Sequence, residues 1–456
     1  MKQVDVLVIG GGLTGLAAAF AFHRQQASVC LLECHPSWGG AVQTVSRQGY
    51  LVEEGPNTLL LNDQRLLDLF SELGLTEDLV EAGDEAKKRF LVRDGQMLSV
   101  PMSPLDLIQT PLFSTGAKLR LLGEPFRSPC PPDATLATFI RHRLGPEILD
   151  QAVQPLISGI YAGDPERLSV RHAFPTLAEL EAAGGSLLGG VFKQRKQPKP
   201  DKIKRRLVSF RNGLQALPHA LAQSLGDACH CSVSLKKIHP KTTAWDVGFE
   251  DEAGREQSVL ARRLVTAIPA HCLKDLPWTN DWDTCFEPLA ELPYSPVSVV
   301  ALGFSREAVC HPLDGFGVLI PETENLQVLG TLFSSTLFPG RAPEGKVLLT
   351  SFIGGRLHPE RAEGSDETLV GRVLPVLEKL LGCTGPPEFV HIRRWPRAIP
   401  QMEQDHQRFL DSFDSLETRL PGLQILGNFR HGISAPQCLL AGLNAPPATG
   451  PDGSEP

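Results

Sequence analysis

Hydrophobic positions change their spacing several times along this chain. It opens on an unbroken apolar run at residues 4–9 of "VDVLVIGGGLTGLAAAF", followed by glycines and then by small and apolar residues over 13–22. A short continuous apolar run bounded by glycine predicts a buried parallel strand, and the stretch after it predicts a helix. "SVCLLE" predicts the next strand, ending in Glu33. In "NDQRLLDLFSELGLTEDL", residues 62–79, leucines recur at helical spacing and Gly74 is the stop signal, so an amphipathic helix is predicted there. "KKRFLVRDGQMLSVP" alternates on both sides of Asp94-Gly95 and predicts a hairpin.

Residues 105–190 read as mostly helical, broken by Pro111, Pro125, Pro129, Pro131 and Pro132. Basic, proline-containing "KQRKQPKPDKIKRR" follows without apolar periodicity and predicts a solvated linker or a basic loop facing anionic lipid. "VSFRNGLQALPHALAQSLG" predicts a helix, then "CSVSLKKI", "AWDVGFE" and "RRLVTAIPA" predict strands. Four further strands are expected at "SVVALGF", "GFGVLIP", "VLGTLFS" and "KVLLTSFIGG". "LQILGNFRHGISAPQCLLAGL" predicts strand, turn and a helix opened by Pro436. The Pro/Gly-rich end, "NAPPATGPDGSEP", is expected to be disordered.

Composition adds mainly exclusions. The 456 residues are 42% hydrophobic and 21% charged, ordinary for a globular protein. A net charge of −8 argues against a nucleic-acid partner. Ten scattered cysteines lack paired C-x-x-C spacing, so free thiols are expected and no metal site. No apolar stretch reaches the ~20 residues of a spanning helix, and no signal peptide is apparent.

The glycines carry the first chemistry. Gly10, Gly12 and Gly15 fall between strand and helix, as G-x-G-x-x-G requires for a tight turn, pyrophosphate approach and close helix packing. Glu33, about twenty residues on, suits ribose hydroxyls and disfavours a 2′-phosphate. The ligand is therefore NAD or FAD. A second glycine pair, Gly39-Gly40, and then "YLVEEGPNT" resemble the flavin amine-oxidase and porphyrinogen-oxidase superfamily, which implies FAD. Ala41 departs from that pattern, standing where relatives often carry a larger aromatic or basic residue.

Further stretches, among them "LISGIYAGDPERLSVRHAFP", "SFRNGLQALP", "LGTLFSSTLFPGRAP" and "RRWPRAIPQ", are similar to the oxygen-dependent protoporphyrinogen oxidases, over nearly the whole chain. The resemblance implies an α/β fold: an FAD-binding Rossmann-like domain interleaved with an α+β substrate domain and a helical membrane-associating insertion. Its expected parts are FAD-binding at 1–62, 204–272 and 391–444, substrate domain at 63–104 and 273–390, insertion at 105–203, and a disordered tail at 445–456.

The implied activity is oxidation of protoporphyrinogen IX to protoporphyrin IX with three molecules of oxygen, releasing hydrogen peroxide, in haem biosynthesis. Coproporphyrinogen III oxidation on the same scaffold, another flavin amine-oxidase-type reaction, or a non-catalytic flavoprotein are the alternatives. Implied partners are the porphyrinogen, oxygen, ferrochelatase as next enzyme, peripheral membrane lipid and a second copy in a homodimer; the implied location is cytoplasmic, on the membrane face. By the same resemblance Gly159 lies at the reacting centre, Arg89 pairs with a substrate propionate, and Leu319, Leu332 and Phe352 clamp the macrocycle. Without it, Arg89 is an exposed hairpin arginine, Gly159 a helix-end glycine and the clamp ordinary core. The cofactor set it implies is Gly10, Gly11, Gly12, Leu13, Thr14, Gly15, Glu33, Cys34, Gly39, Gly40, Gly55, Pro56, Asn57, Thr58, Leu235, Asn428, Ile433, Ser434 and Ala435.

Overall fold

The computed structural model describes residues 2–196 and 203–445. Two seven-stranded sheets organise the chain. In the first, the order is Cys229–His230, Val29–Leu32, Lys2–Ile9, Glu256–Thr266, Trp245–Glu250 and Ser234–Pro240, with Leu423–Ile425 also pairing in parallel with Glu256–Thr266. The apolar run of the opening strand is buried because both faces are covered, by separate clusters around Leu16, Phe20 and Leu217 on one side and Trp245, Phe286 and Phe413 on the other.

The second sheet runs Phe389–Pro400, Tyr294–Ser305, Lys346–Gly354, Gly330–Phe333, Gly317–Leu319, Phe90–Arg93 and Gln96–Ser99. Its last two strands are the expected hairpin, with Asp94 at φ +53° and Gly95 at φ +73° in the turn. Its two faces are unequally closed: one is covered in part by Tyr50 and Val52 and stays half-buried at Leu319, Leu332 and Phe352, and the other is more fully packed. Val318, Phe333, Leu349 and Ile353 pack there against Leu369, Val373 and Leu377 of the helix Asp366–Leu381.

Between residues 104 and 196 the chain is helical, around Phe139, Ile140, Ile157 and Tyr161. A wholly buried Arg143 ties these helices together through Glu124 and Glu181. No helix among the described residues is long and apolar enough to cross a membrane.

Several expected elements differ in extent. The 62–79 helix spans only Gln64–Glu72: Asp63 caps it, Gly74 at φ +70° ends it, and Leu79–Glu81 is a strand. That strand and Leu59–Leu61 both pair with Arg206–Phe210, so "RLVSF" is the middle of a three-stranded sheet and precedes the helix Ala216–Leu225. The seam expected at 390/391 falls inside the strand Phe389–Pro400, whose pairing with Tyr294–Ser305 keeps it in the second sheet. Lys193 and Gln194 of the basic stretch belong to the helix Leu187–Lys196, while 197–202 lie outside the described residues. At the other end Ala445 is buried, and the rest of the expected tail, 446–456, also lies outside them.

Candidate active site

Close backbone approach shapes one wall of the site, at the C-terminal ends of the first sheet's parallel strands. Gly10 turns at φ +111°, and a Cβ on Gly15 would sit 1.9 Å from its carbonyl oxygen, so the helix Leu13–Arg24 abuts the strand end. Gly12, the N-cap, has no neighbour within 4 Å of a Cβ position. The first helical turn leaves N–H groups unpaired there, at the positive end of the helix dipole.

Glu33 is buried beside this opening. Its Oε2 accepts the Gly11 N–H at 2.6 Å, and its Oε1 accepts the His35 N–H at 2.8 Å and lies 2.9 Å from His35 Nδ1. Burial alone would raise the carboxyl, but these N–H donors hold it below the usual carboxylate range. Cys34 is the exposed neighbour, with Sγ 3.3 Å from Glu33 Oε1.

The second glycine pair lies on the first. Gly39 donates its N–H to Gly11 O at 2.8 Å, and a Cβ on Gly40 would reach Gly12 Cα at 3.4 Å. A Cβ on Gly55 would clash with Ala41 O at 2.0 Å, which brings Pro56, Asn57 and Thr58 to the same edge; Asn57 Nδ2 donates to Gly55 O at 3.0 Å. From the C-terminal side Leu426 donates to Thr266 O, so Asn428 starts its short helix at the strand ends. Ser434 caps the helix Ala435–Leu443 in a capping box with Gln437, and Gly442 of that helix lies against Thr14. Ile433 packs toward the helical insertion with Ile399.

Leu235 is the exception. It lies at the start of the bulge-bearing edge strand Ser234–Pro240 and is half-buried against the cluster of Ile238 and Trp245. Val233, two residues earlier, is the residue that donates its N–H to Glu33 O, at 3.0 Å. An alternating strand gives the correct face at either position, so the sequence alone does not separate them.

The opposite wall is the partly covered face of the second sheet, on which Leu91 and Val299 are buried. One register row crosses six strands there: Leu91, Leu319, Gly330, Phe352, Val299 and Arg393 are successive partners. Leu332 is two residues from Gly330 and shares its face. Leu319, Leu332 and Phe352 are half-buried, whereas the alternating Val318, Thr331 and Ser351 are fully packed on the closed side. Leu319 also meets the helix Gln154–Tyr161, because a Cβ on Gly159 would lie 2.7 Å from Leu319 Cδ2. Arg89 is exposed, its guanidinium 5.3 Å over the Phe316 ring, with no acidic partner among the described residues.

Residues that the sequence reading did not single out join the two walls. His391 Nε2 lies 2.8 Å from Glu54 Oε1, Trp395 Nε1 donates to Glu54 O at 2.7 Å, and Arg393 stacks on Trp395 at 4.3 Å. The His391 hydrogen bond holds the Glu54 carboxyl below its ordinary range. Beneath them Glu53 accepts from Thr44 Oγ1 and Leu214 N and faces Arg341 at 3.5 Å, both acid and base only 3% exposed. Burial pushes the Glu53 carboxyl up. A cavity of about 10 Å3, room for one water, separates this pair from Asn57, Ser334 and Thr350. The signals were "VEEGP" and "RRWPRAIPQ", read as family motifs but not residue by residue.

These donors fit a flavin dinucleotide: an open glycine over a helix N-terminus for pyrophosphate, a buried acid for ribose, and a polar loop at 55–58 for the ring end. Comparison with known proteins agrees. The model of the flavin containing amine oxidoreductases matches residues 13–445. The mitochondrial protoporphyrinogen oxidase of Nicotiana tabacum is 32% identical over 96% of this chain and 93% of its own length. The coproporphyrinogen III oxidase of Bacillus subtilis is 28% identical over 95% of each. A solved Exiguobacterium sp. 255-15 structure, described as a candidate protoporphyrinogen oxidase, superposes with TM-score 0.79 at 24% identity over 97% of both chains, the same fold. With a family match spanning nearly the whole chain on the architecture just described, this protein belongs to the flavin-containing amine oxidoreductases and is an FAD-dependent oxidoreductase.

Proposed function

We propose that the protein oxidises protoporphyrinogen IX to protoporphyrin IX, using three molecules of oxygen and releasing three of hydrogen peroxide, in haem biosynthesis. The observation that carries this reading is the half-buried apolar trio Leu319, Leu332 and Phe352, which strand register gathers on one face of a sheet whose other face packs under a helix. A macrocycle needs such a face, and the similarity to the Nicotiana tabacum protoporphyrinogen oxidase supports the substrate. Bound FAD supplies a two-electron acceptor, so three turnovers account for the six electrons. The chain's own part is to hold the ring edge: Gly159 lets the helix Gln154–Tyr161 press its backbone against Leu319, and Arg89 offers a forked guanidinium to a propionate. The FAD contacts we assign are Gly10 to Gly15, Glu33, Cys34, Gly39, Gly40, Gly55 to Thr58, Asn428 and Ile433 to Ala435, with Val233 in place of Leu235.

Coproporphyrinogen III is the second reading, favoured by the Bacillus subtilis relative. Burying four propionates instead of two against an apolar row costs more desolvation, which favours the dicarboxylate. Anaerobically prepared porphyrinogens, offered separately and followed by porphyrin fluorescence on admission of oxygen, test both: faster turnover of coproporphyrinogen would reverse the order.

We also propose peripheral attachment to a membrane through the helical insertion. Met102, Leu105, Ile108, Leu119, Leu122 and Phe126 are exposed there, Phe126 at 90%. Apolar residues so concentrated on one subregion are costly in water and suit the headgroup boundary. Pelleting with phosphatidylserine vesicles, lost in Phe126→Asp with flavin content unchanged, is the expected result; no pelleting at low salt would remove the proposal.

A further inference from the structure

A groove of about 680 Å3 opens between the hairpin Phe90–Arg93/Gln96–Ser99 and the helix Pro104–Gln109. Leu98, Val100, Pro101 and Pro111 make its lining largely apolar, and Lys87 and Lys88 stand on its rim. Its floor adjoins the clamp from behind: Leu98 pairs with the buried Leu91, Leu91 with Leu319, and all three pack in one cluster. Val100 is bonded to the Arg89 carbonyl at 2.8 Å, so the basic run Lys87-Lys88-Arg89 marks the place where groove and clamp meet.

Both lysines are paired, but loosely. Lys87 meets Asp84 at 2.5 Å with side chains 77% and 90% exposed, and Lys88 meets Asp314 at 2.6 Å with both 43% exposed. Exposed pairs of this kind are screened by water and readily exchanged for another carboxylate. The acid in the lining itself, Asp106, is engaged by the N–H groups of Met102 and Ser103.

We propose that this groove is the vestibule in which an amphipathic polycarboxylate, the porphyrinogen, is first captured: Lys87 and Lys88 exchange their surface acids for its propionates and hand them on to the exposed Arg89 beside the clamp. The proposal rests on the porphyrinogen reading. It also answers a problem of sign, since a chain of net charge −8 repels an anionic substrate at long range unless cations are concentrated at the entrance.

The flavin-loaded full chain tests this by its salt dependence. With a cationic entrance, kcat/KM for protoporphyrinogen IX falls as ionic strength rises; under control by the net charge alone, it rises, and that result would overturn the proposal. In the double variant Lys87→Glu/Lys88→Glu, kcat/KM at low salt drops about tenfold through KM, and the salt dependence inverts. Coproporphyrinogen, with four carboxylates, shows the larger drop. A double variant with a normal flavin spectrum and unchanged kinetics overturns the proposal, as does one whose sole defect is lost pelleting with phosphatidylserine vesicles, which would assign the groove to lipid. The salt series on the unmodified enzyme stands if the variant fails to fold. No porphyrinogen turnover by the unmodified enzyme would remove both the activity reading and this one; turnover with the wrong salt sign removes only the vestibule.

Discussion

At the glycine end, backbones approach one another more closely than any side chain permits: Gly15 on Gly10, Gly55 on Ala41. On the partly covered face of the second sheet the wall is made of side chains, and what brings Leu319, Leu332 and Phe352 together is the register of three strands. The first wall depends on residues that must be absent of side chain, so substitutions there act on the fold and the cofactor together. The second depends on residues that the fold already leaves half-exposed, so substitutions there act on what is bound.

The strongest test of that contrast is Gly15→Val. Its Cβ would fall 1.9 Å from Gly10 O, backbone against backbone, with no flexible side chain to yield. We expect a loss of about 5 kcal/mol or more and a chain without flavin. Visible flavin absorbance per mole of purified chain reads this directly. A flavin-loaded, stable Gly15→Val would show that close approach does not define this wall.

Next in size is the seam between the walls. Arg341, from the loop before the strand Lys346–Gly354, lies 3.5 Å from Glu53 and donates to Ser209 Oγ at 2.6 Å, all buried. Arg341→Met leaves Glu53 buried without its cation and should cost about 3–5 kcal/mol in urea unfolding. Adding Glu53→Gln should restore part of that loss, because the uncompensated acid is removed. An unchanged urea midpoint in the single variant would mean the walls are held together elsewhere.

These cases show why the two walls were unequally legible in the sequence. Glycine spacing states its own geometry: Gly10, Gly12, Gly15 and Glu33 specify turn, approach and acid within one βαβ unit, and the structure has that arrangement. Register does not appear in a single strand. That Leu319, Leu332 and Phe352 share a face follows only once Leu319 is seen opposite Gly330 and Gly330 opposite Phe352. Alternation alone leaves a strand free to slip, so it does not choose between Leu235 and Val233. The strand Arg206–Phe210 was missed for a related reason: its partners, Leu59–Leu61 and Leu79–Glu81, lie more than a hundred residues away. The buried Glu53–Arg341 pair joins segments equally remote in sequence, and neither residue has a local pattern that announces it.

A smaller effect is expected at His406, where the helix His406–Arg419 meets the helical insertion through His172. Burial, reinforced by His172, pulls the His406 imidazole down to about 4 from its usual 6.5, against weaker opposing effects of Phe429 O and Asp405. The unfolded chain therefore takes up a proton near pH 6.5 that the folded chain refuses until about pH 4. The stability this neutral histidine provides is complete above pH 6.5 and is lost as pH falls through that window, by up to about 3 kcal/mol. Urea midpoints measured from pH 7 to pH 4 should fall, and fall less in His406→Gln. An identical slope in the variant would place the acid sensitivity in other groups.

The finest distinction lies within one sheet, between its two faces. Leu332→Ala removes part of a half-exposed clamp and should leave flavin content and urea midpoint nearly unchanged while raising KM about tenfold, the equivalent of one lost apolar side chain against the ring. Val318→Ala, on the neighbouring strand but on the face packed under the helix Asp366–Leu381, should do the reverse: about 1–2 kcal/mol of stability lost and KM unchanged. The two substitutions lie one strand apart, so a general loosening of the sheet would move both readouts in both variants. Only a wall whose half-buried side faces the substrate separates them, and a Leu332→Ala that lowers stability without touching KM would return Leu332 to the core.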